Sequence, residues 1–409
     1  MSATAGSSSR HGLPCAAITG LGCLCAAGVT PAAVMDRLYA DGCLPVPACC
    51  LGPEALPYPM FAVDETVFLG GRRHSAMDTL VLARYAAREA LAMSGFETGP
   101  VWEAQRGRTG VVLGTTAGSS LHFLSGYAAS RREIQPPTPD DREDYFISNP
   151  ALALGAELGA RGPFLTVANA CTSGTDALGM GLDLIRQGQC DCVLCGGAEA
   201  LSLVPHTGFA RLMIYDAEPC RPFDRTRRGL NLGEAAAVFV LESEAHARQR
   251  GATVLGRVAG YGSASDAYHF TAPHPEGRGL VAALRRALEE SGLQPGDLAF
   301  INAHGTGTLE NDKVEGRVLR RLLPDTPVWA SKGATGHTLG AAGALEAALC
   351  LLALRRGRIP TSPGFATPDP VIGLCPTREI QTTATPWALS ISLGFGGGNA
   401  ALALQGECL

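Results

Sequence analysis

Short apolar runs and longer amphipathic stretches alternate along the whole chain. The apolar runs are rich in Val, Ile and Leu and often end in Gly, whereas the longer stretches repeat apolar residues at intervals of three and four. This alternation predicts an α/β fold in which helices cover buried, mainly parallel strands. The predicted strands are 109–118, 164–170, 191–200, 236–242, 298–308 and 389–398, and the predicted helices are 77–94, 172–187, 277–291 and 340–356.

Three segments interrupt this alternation. The stretch 129–146 is rich in Pro and charged residues, which predicts a long excursion over the surface. The stretch 243–254 becomes charged before a new strand pattern begins, and we place a boundary there between two halves of similar organisation, 13–245 and 246–409. Residues 1–12 are small and polar, and we predict that they are disordered.

Composition and charge narrow the class of protein. Of the 409 residues, 46% are hydrophobic and 17% are charged, so the chain can bury a sizeable core and is not generally disordered. The formal net charge is −5, whereas nucleic-acid-binding proteins usually carry a basic surplus, so we predict no nucleic-acid partner. No stretch reaches about 18 uninterrupted apolar residues. The apolar stretch after Arg10 contains internal glycines and favours a strand over a signal peptide, so we predict a cytoplasmic protein without a membrane span.

The sequence contains 14 cysteines, and most of them lack a pattern that indicates chemistry. Cys190, Cys192 and Cys195 cluster, but they lie in a strand-like stretch rather than at zinc-ligand spacing. We interpret these cysteines as small buried hydrophobic residues in a reducing cytosol and predict no metal site.

Cys171 has a different setting. In the segment FLTVANACTSGTDALGMGLDLI, a strand-like run ends at Ala170 and an Ala- and Leu-rich helix begins just after Cys171. Free backbone N–H groups and the dipole at a helix N-terminus favour a thiolate and can also hold an oxyanion. On this pattern alone, a catalytic nucleophile and an inert buried cysteine remain equally open.

Two histidines favour the nucleophile. His304 (in INAHGTGT) and His337 (in SKGATGHTLGAAG) both lie at predicted strand–helix junctions, where α/β folds deliver side chains into a crevice. Lys332 precedes His337 by five residues, and Glu346 follows on an apolar helix, where a buried carboxylate needs a partner such as Lys332. The Gly-rich run GFGGG contains Phe395 and could complete an anion site with its N–H groups.

These motifs together resemble the β-ketoacyl-acyl carrier protein synthases, in particular the elongating type with a Cys-His-His triad and the related polyketide ketosynthases. The resemblance is carried in order by ACTSG, NAHGTGT, SKGATGH and GFGGGN, and it extends from about residue 14 to the C-terminus. It implies a thiolase-type fold, with two similar βαβαβαββ halves in a five-layered α-β-α-β-α core that is usually dimeric. It also implies that the enzyme is an acyltransferase.

The resemblance also implies roles for individual residues. Cys171 would accept an acyl chain, and the N–H groups of Cys171 and Phe395 would stabilise the oxyanion. His304 and His337 would stabilise the enolate that forms when a malonyl thioester loses CO2. The supporting roles implied are a Lys332–Glu346 ion pair, Thr306 and Thr308 as ligands of the pantetheine arm, and Phe395 as the gate of the acyl pocket.

The family's substrates are carried on the phosphopantetheine of an acyl carrier protein, so the resemblance implies that carrier as a partner and no other cofactor. An acidic carrier requires basic residues on the enzyme. The candidate docking residues are Arg72, Arg73, Arg131, Arg132 and Arg211, with a plain solvated arginine as the alternative at each position. The second partner is another subunit, either a copy of this chain or a homologous chain-length-factor-like protein.

One segment departs from the family's pattern. In RPFDRTRRGLNLGEAAA, Arg228 replaces an acid, and Leu230 and Asn231 replace an aromatic and an apolar residue expected near the mouth of the site. We therefore hypothesise a specialised synthase for an aryl polyene or other polyketide-like chain.

Three other kinds of protein are weighed against this interpretation. A thiolase would need a second cysteine near the GFGGG loop, and a chalcone-type or initiating synthase would use Asn in place of the second histidine. A non-catalytic chain-length factor usually lacks the nucleophile, whereas Cys171 is present here. The alternatives that remain are an active subunit that depends on a partner of that kind and a thiolase-type acyltransferase.

Overall fold

The computed structural model of the protein describes residues 12–40, 42–52, 55–68, 77–96, 106–118 and 149–407. The predicted surface excursion at 129–146 lies outside the described residues, as do residues 1–11 of the segment predicted to be disordered.

The described residues form strands β1–β12 and helices α1–α10. The strands are β1 (Ala16–Cys25), β2 (Thr109–Gly114), β3 (Phe164–Val167), β4 (Cys192–Glu199), β5 (Ala235–Ser243), β6 (Gly256–Ser265), β7 (Phe300–Asn302), β8 (Val328–Trp329), β9 (Arg358–Ile359), β10 (Gln381–Thr382), β11 (Trp387–Gly394) and β12 (Gly398–Gly406). The helices are α1 (Pro31–Tyr39), α2 (Asp78–Ser94), α3 (Pro150–Glu157), α4 (Ser173–Arg186), α5 (Leu203–Arg211), α6 (Glu244–Gln249), α7 (Arg278–Ser291), α8 (Leu309–Leu322), α9 (Lys332–Thr335) and α10 (Ala342–Arg355).

The strand order repeats itself. The large sheet runs β3-β2-β4-β5-β1-β6-β12-β11-β7-β8, and β9 and β10 form a separate pair. The first five strands of the chain therefore lie in the order 3-2-4-5-1. The strands β8-β7-β11-β12-β6 repeat that order from the opposite edge. The change from one half to the other falls between β5 and β6, and the expectation of two similar halves is confirmed.

Strand direction differs from the expectation of a mainly parallel sheet. In each half, three strands are parallel (β3, β2, β4 and β8, β7, β11) and the next two pairings are antiparallel (β4–β5–β1 and β11–β12–β6). Antiparallel strands such as β1 and β5 are nevertheless almost completely buried. Since helices cover both faces, these strands carry the continuous apolar runs that otherwise indicate parallel pairing.

The helices complete five layers. Helices α4 and α10 contact each other and pack against strands of both halves, whereas α2 covers β1 and β5 and α7 covers β6 and β12. Glycine permits the central contact, because a Cβ at Gly174 would lie 2.6 Å from the Ala344 nitrogen and a Cβ at Gly343 would lie 2.0 Å from Thr175 Oγ1. The predicted α-β-α-β-α layering is confirmed, and the central layer brings the N-termini of α4 and α10 together.

Candidate active site

The turn that carries Cys171 lies between β3 and α4. Ala170 has a φ of +48°, which residues other than Gly rarely adopt, and Cys171 follows it directly. The Ser173 hydroxyl accepts from the Asn169 N–H at 2.8 Å and donates to the Ala170 carbonyl at 2.6 Å. The turn therefore places Cys171 just before α4, as predicted, with only 5% of the residue exposed.

Asp176, near the N-terminus of α4, stabilises the loop that carries Cys171. Its carboxylate accepts from Asn169 Nδ2 at 2.7 Å and from the Thr172 hydroxyl at 2.7 Å. Its other oxygen accepts from the Tyr261 hydroxyl at 2.7 Å, and Tyr261 belongs to β6 of the second half. Asp176 thus ties the Cys171 turn to the opposite half of the molecule, and the sequence analysis did not single it out.

Burial dominates the electrostatics of Cys171. Burial raises the pKa of its thiol to about 12, while the Lys332 charge and a hydrogen bond from the Phe395 N–H lower it. The Phe395 N–H therefore lies beside the sulfur, where it is available as a donor to an oxyanion that forms next to Cys171. Gly394 keeps the approach open, because a Cβ there would lie 3.3 Å from the Cys171 nitrogen.

His304 lies in the loop after β7, and its pKa is held well below the ordinary value by burial, by the Lys332 charge and by His337. Lys332 Nζ lies 3.3 Å from His304 Nδ1. Because an ammonium group only donates, Nδ1 is the acceptor and the proton of the neutral ring is on Nε2. His304 can therefore donate a hydrogen bond from Nε2.

His337 reaches the same protonation state by a different contact. The Leu339 backbone N–H donates to His337 Nδ1 at 3.3 Å, so the ring proton is again on Nε2. Burial and the Lys332 charge hold its pKa well below the ordinary value. The two rings lie 5.2 Å apart at an angle of 83°. Two neutral imidazoles that each keep an Nε2–H donor can share one developing negative charge.

Lys332 and Glu346 form the predicted ion pair. Both side chains are almost fully buried, and Lys332 Nζ donates to Glu346 Oε1 and to the His304 carbonyl. Burial raises the pKa of Glu346 to about 7, and the Lys332 charge opposes that rise. The pair holds a cation behind the histidines, where its charge adds to the effect of burial in keeping both rings neutral.

Two carboxylates missed by sequence reasoning hold the His304 loop. Glu315 accepts from the N–H groups of His304 and Gly305 at 2.6 and 2.8 Å, and Asp312 accepts from those of Thr306 and Gly307 at 3.1 and 3.2 Å. Both lie on α8 and are completely buried. Burial and the neighbouring Asp312 raise the pKa of Glu315 to about 8. Their three-residue spacing among the valines of α8 was the available signal.

Six of the predicted site residues line one cleft of about 290 Å³, whereas Lys332, Glu346 and Arg211 do not line it. The Thr306 and Thr308 hydroxyls lie 2.8 Å apart, and Thr306 is buried whereas Thr308 is partly exposed. Phe395 stacks on Phe209 of α5 with ring centroids 5.4 Å apart. The cleft is lined by Cys171, His304, His337, Thr306, Thr308, Phe395, Phe209, Arg228 and Leu230, among others.

The remaining predicted residues are placed as follows. Arg211 is exposed at the end of α5, next to the cleft-lining Leu212, whereas the other four docking arginines lie outside the described residues. Leu230 lines the cleft as expected. Asn231, expected near the mouth of the site, does not line the cleft. It is completely buried, its side chain accepts from the Cys220 N–H at 2.8 Å and donates to the Asp216 carbonyl at 3.0 Å, and its own carbonyl accepts from the His337 N–H at 2.8 Å.

Two features are absent from the part of the chain that the structure describes. No helix there is both long enough and apolar enough to cross a membrane. No group of three or more His, Cys, Asp or Glu side chains there is arranged to hold a metal ion.

A cysteine at a strand–helix turn, two neutral histidines and a buried lysine, set on two repeated halves, define a thiolase-fold condensing enzyme, which is an acyltransferase. The chain belongs to the β-ketoacyl synthase family: the model of the family's N-terminal domain matches residues 16–247, and that of its C-terminal domain matches residues 255–366. The identification of the chain as a ketosynthase of fatty acid or polyketide synthesis is thereby confirmed.

Individual relatives extend the comparison. The chain is 36% identical to the tetracenomycin polyketide synthase ketoacyl synthase alpha subunit of Streptomyces glaucescens, over 97% of this chain and 98% of that protein. It is 37% identical to 3-oxoacyl-[acyl-carrier-protein] synthase 2 of Mycobacterium bovis, over 74% and 75% of the two chains. Among solved structures, the ishigamide ketosynthase/chain length factor matches with a TM-score of 0.87 and 29% identity, over 97% of this chain and 100% of that one.

Proposed function

We propose that this chain elongates an acyl group by decarboxylative condensation with a malonyl group, both carried on the phosphopantetheine of an acyl carrier protein. The observation that carries the proposal is the arrangement of Cys171 opposite two histidines that each keep an Nε2–H donor. The name of the mycobacterial relative supports an acyl carrier protein as the donor. Beyond the carried substrates, the proposal needs no further cofactor.

The first step transfers the acyl group to Cys171. The sulfur attacks the thioester carbonyl, and the thiol proton leaves with the carrier's sulfur, so that one thioester replaces another. The N–H groups of Cys171 and Phe395 would hold the oxyanion of the tetrahedral intermediate. Because burial raises the pKa of the Cys171 thiol to about 12, we propose that the proton leaves as the sulfur attacks rather than beforehand.

The second step joins the two chains. The malonyl thioester loses CO2, and the Nε2–H groups of His304 and His337 would donate to the resulting enolate oxygen. The enolate carbon attacks the acyl-Cys171 carbonyl, the C–S bond breaks, and the cysteine sulfur takes up a proton from solvent. The products are a β-ketoacyl carrier protein, CO2 and the free thiol. Thr306 and Thr308 are proposed to bind the pantetheine arm, and Phe395 is proposed to gate the acyl pocket.

We infer that the product is a polyketide-like chain, with an aryl polyene as one example and a straight-chain fatty acid as the alternative. The relative from the tetracenomycin synthase, which matches nearly the whole chain, supports a polyketide. The departures at Arg228 and Leu230 support the same assignment, because both residues line the cleft. A location in the reducing cytoplasm would keep Cys171 a free thiol.

We also infer that the active form is a dimer, either of this chain or with a homologous chain-length-factor-like subunit. Within the described residues, β3 lies at one edge of the large sheet and pairs only with β2, and its residues are partly exposed. A strand edge of this kind can pair with another chain. The ishigamide ketosynthase, which is solved with a chain length factor, supports the heterodimer.

Intact-mass spectrometry with a panel of acyl carrier thioesters tests the function. We expect a mass gain on the wild type that maps to Cys171 and is absent from Cys171→Ala, with polyketide-like donors loading fastest. Saturated medium-chain donors loading best would overturn the polyketide assignment. If no donor loads the chain alone, the same assay with a co-expressed homologous partner separates an obligate heterodimer from a failure of the proposed function.

A further inference from the structure

Arg228 is a cation on the wall of the cleft that holds Cys171. The exposure of the lining residues increases from the bottom of the cleft to its mouth. Cys171 and His304 are at most 5% exposed, and Thr308 is partly exposed. Arg228 and Leu309, at the mouth, are exposed. Arg228 therefore lies at the outer end of the route from solvent to the nucleophile.

The backbone on both sides of Arg228 is fixed. The preceding Arg227 is buried, and its guanidinium donates to Asp369 at 2.7 Å and to the Asp224 carbonyl at 2.9 Å. The following Gly229 packs so closely that a Cβ would lie 2.2 Å from the Ile214 carbonyl oxygen, which also accepts from the Leu230 N–H at 2.8 Å. The fold thus fixes the backbone from which the Arg228 side chain reaches the wall of the cleft.

Arg228 has no carboxylate partner among the described residues, whereas nearby Arg221 pairs with Asp216 at 3.2 Å and with Glu218 at 2.9 Å. Two carboxylates on the cleft wall must be considered. Asp266 accepts from the N–H groups of His274 and Gly279 at 2.9 Å each. Glu310 lies in the first turn of α8, where the helix dipole offsets its charge, and it makes no ion pair with Arg228.

The proposed substrate has an anionic group that fits this position. The thioester is at one end of the phosphopantetheine arm, and a phosphodiester at the other end joins the arm to the carrier protein. When the thioester is at Cys171 and the arm passes Thr306 and Thr308, the phosphodiester points towards the mouth of the cleft. Arginine binds phosphate oxygens through two parallel N–H donors.

We propose that Arg228 binds the phosphodiester of the phosphopantetheine arm and thereby selects carried substrates over thioesters that lack this phosphate. This inference rests on the proposed function, because it assigns one end of the same substrate. The proposal also gives a physical role to Arg228, which stands in place of an acid in the segment RPFDRTRRGLNLGEAAA.

Acylation of Cys171 by three donors with the same acyl group tests the proposal: acyl-pantetheine, acyl-phosphopantetheine and the acyl carrier protein. The full chain is used, together with its homologous partner if loading requires one. Arg228→Gln is expected to lower kcat/KM about tenfold for the two phosphorylated donors, the size of an exposed charge-assisted contact, and to leave acyl-pantetheine within about twofold. Arg228→Lys should lose less. Arg225→Gln, exposed but not on the cleft wall, is the matched control and should change nothing.

The outcomes are separable. A loss confined to the acyl carrier protein would assign Arg228 to the carrier's surface and overturn the proposal. Equal losses with all three donors would indicate an effect on the shape of the cleft and would also overturn it. A wild type that no donor acylates would refute the proposed function itself, whereas normal wild-type loading with no selective loss in Arg228→Gln refutes only the role of Arg228.

Discussion

Cys171 and the histidine pair share one cleft, but different interactions hold them. The cysteine turn is fixed by hydrogen bonds to the backbone and to Asp176, and its thiol has a raised pKa. The histidines are backed by the buried Lys332–Glu346 pair, and their pKa values are lowered. Hydrogen bonds therefore position both sides of the site, and the buried Lys332–Glu346 pair adds electrostatic control chiefly at the histidines.

The difference between the cysteine turn and the histidine pair follows from what the proposed role of each requires. A nucleophile that releases its proton during attack needs an accurate position more than a charged resting state. A neutral imidazole donates only from its protonated nitrogen, and burial together with the Lys332 charge keeps both rings neutral while their contacts leave that proton on Nε2. Both sides use the same low-polarity interior, which raises the pKa of a thiol and lowers that of an imidazole.

The pH dependence of Cys171 alkylation tests the first half of this comparison. A thiol with a pKa raised to about 12 is neutral at pH 6–9, and its thiolate fraction grows tenfold with each pH unit. We expect the iodoacetamide rate at Cys171, measured by peptide mass spectrometry, to rise about a thousandfold from pH 6 to 9 without levelling off. A short unstructured peptide with one cysteine is the control, because its rate levels off above pH ~8.5. A plateau at Cys171 near pH 7 would show that Lys332 and the start of α4 outweigh burial.

The stability of ion-pair variants tests the second half. Lys332→Met leaves Glu346 buried without its cation, and we expect a loss of about 3 kcal/mol in the free energy of unfolding, measured with urea. Lys332→Met/Glu346→Gln removes both charges and should recover most of that loss without recovering condensation. Equal stabilities of the single and double variants would show that the pair is not held as a charged unit.

Replacing a histidine should separate the two steps. His304→Ala removes one Nε2–H donor, and we expect malonyl decarboxylation to fall about a hundredfold. Acyl loading of Cys171 should remain within a few-fold of wild type, because no histidine takes the thiol proton in the proposed first step. The two rates are measured by CO2 release and by intact mass. A parallel fall in both rates would show that His304 also acts on the cysteine.

Much of this arrangement could be predicted from the sequence. The predicted helix at 172–187 is observed as Ser173–Arg186, and the predicted strand at 191–200 is observed as Cys192–Glu199. Cys171, His304 and His337 were found because each stands at a strand–helix junction among Gly and Thr residues, a pattern that is local in sequence.

The missed features depend on contacts between distant segments. In the sequence, Asp176 resembles any polar residue on an amphipathic helix. Its role becomes visible only in the fold, where Tyr261 of β6 donates a hydrogen bond to it. In the sequence, Glu315 resembles a solvated charge on a helix. In the fold, the loop after β7 directs its backbone N–H groups towards α8, where Glu315 accepts from them. The direction of β5 could not be predicted from its sequence either. When helices cover both faces of a sheet, parallel and antiparallel strands carry the same continuous apolar run.

The smallest expected effect concerns Asp176, the residue that fixes the position of the cysteine turn. Asp176→Asn weakens the acceptor shared by Asn169 and Thr172, and we expect acyl loading of Cys171 to fall about tenfold, the effect of roughly one good hydrogen bond. Malonyl decarboxylation measured without an acyl donor should stay unchanged, because His304 and His337 keep their contacts.

Tyr261→Phe, which removes a single donor to Asp176, is the graded control and should slow loading about threefold. A melting temperature within a few degrees of wild type would separate misplacement of the sulfur from general unfolding. If loading and decarboxylation fell together in Asp176→Asn, the two sides of the cleft would not be held independently. The contrast between geometric and electrostatic control would then be wrong.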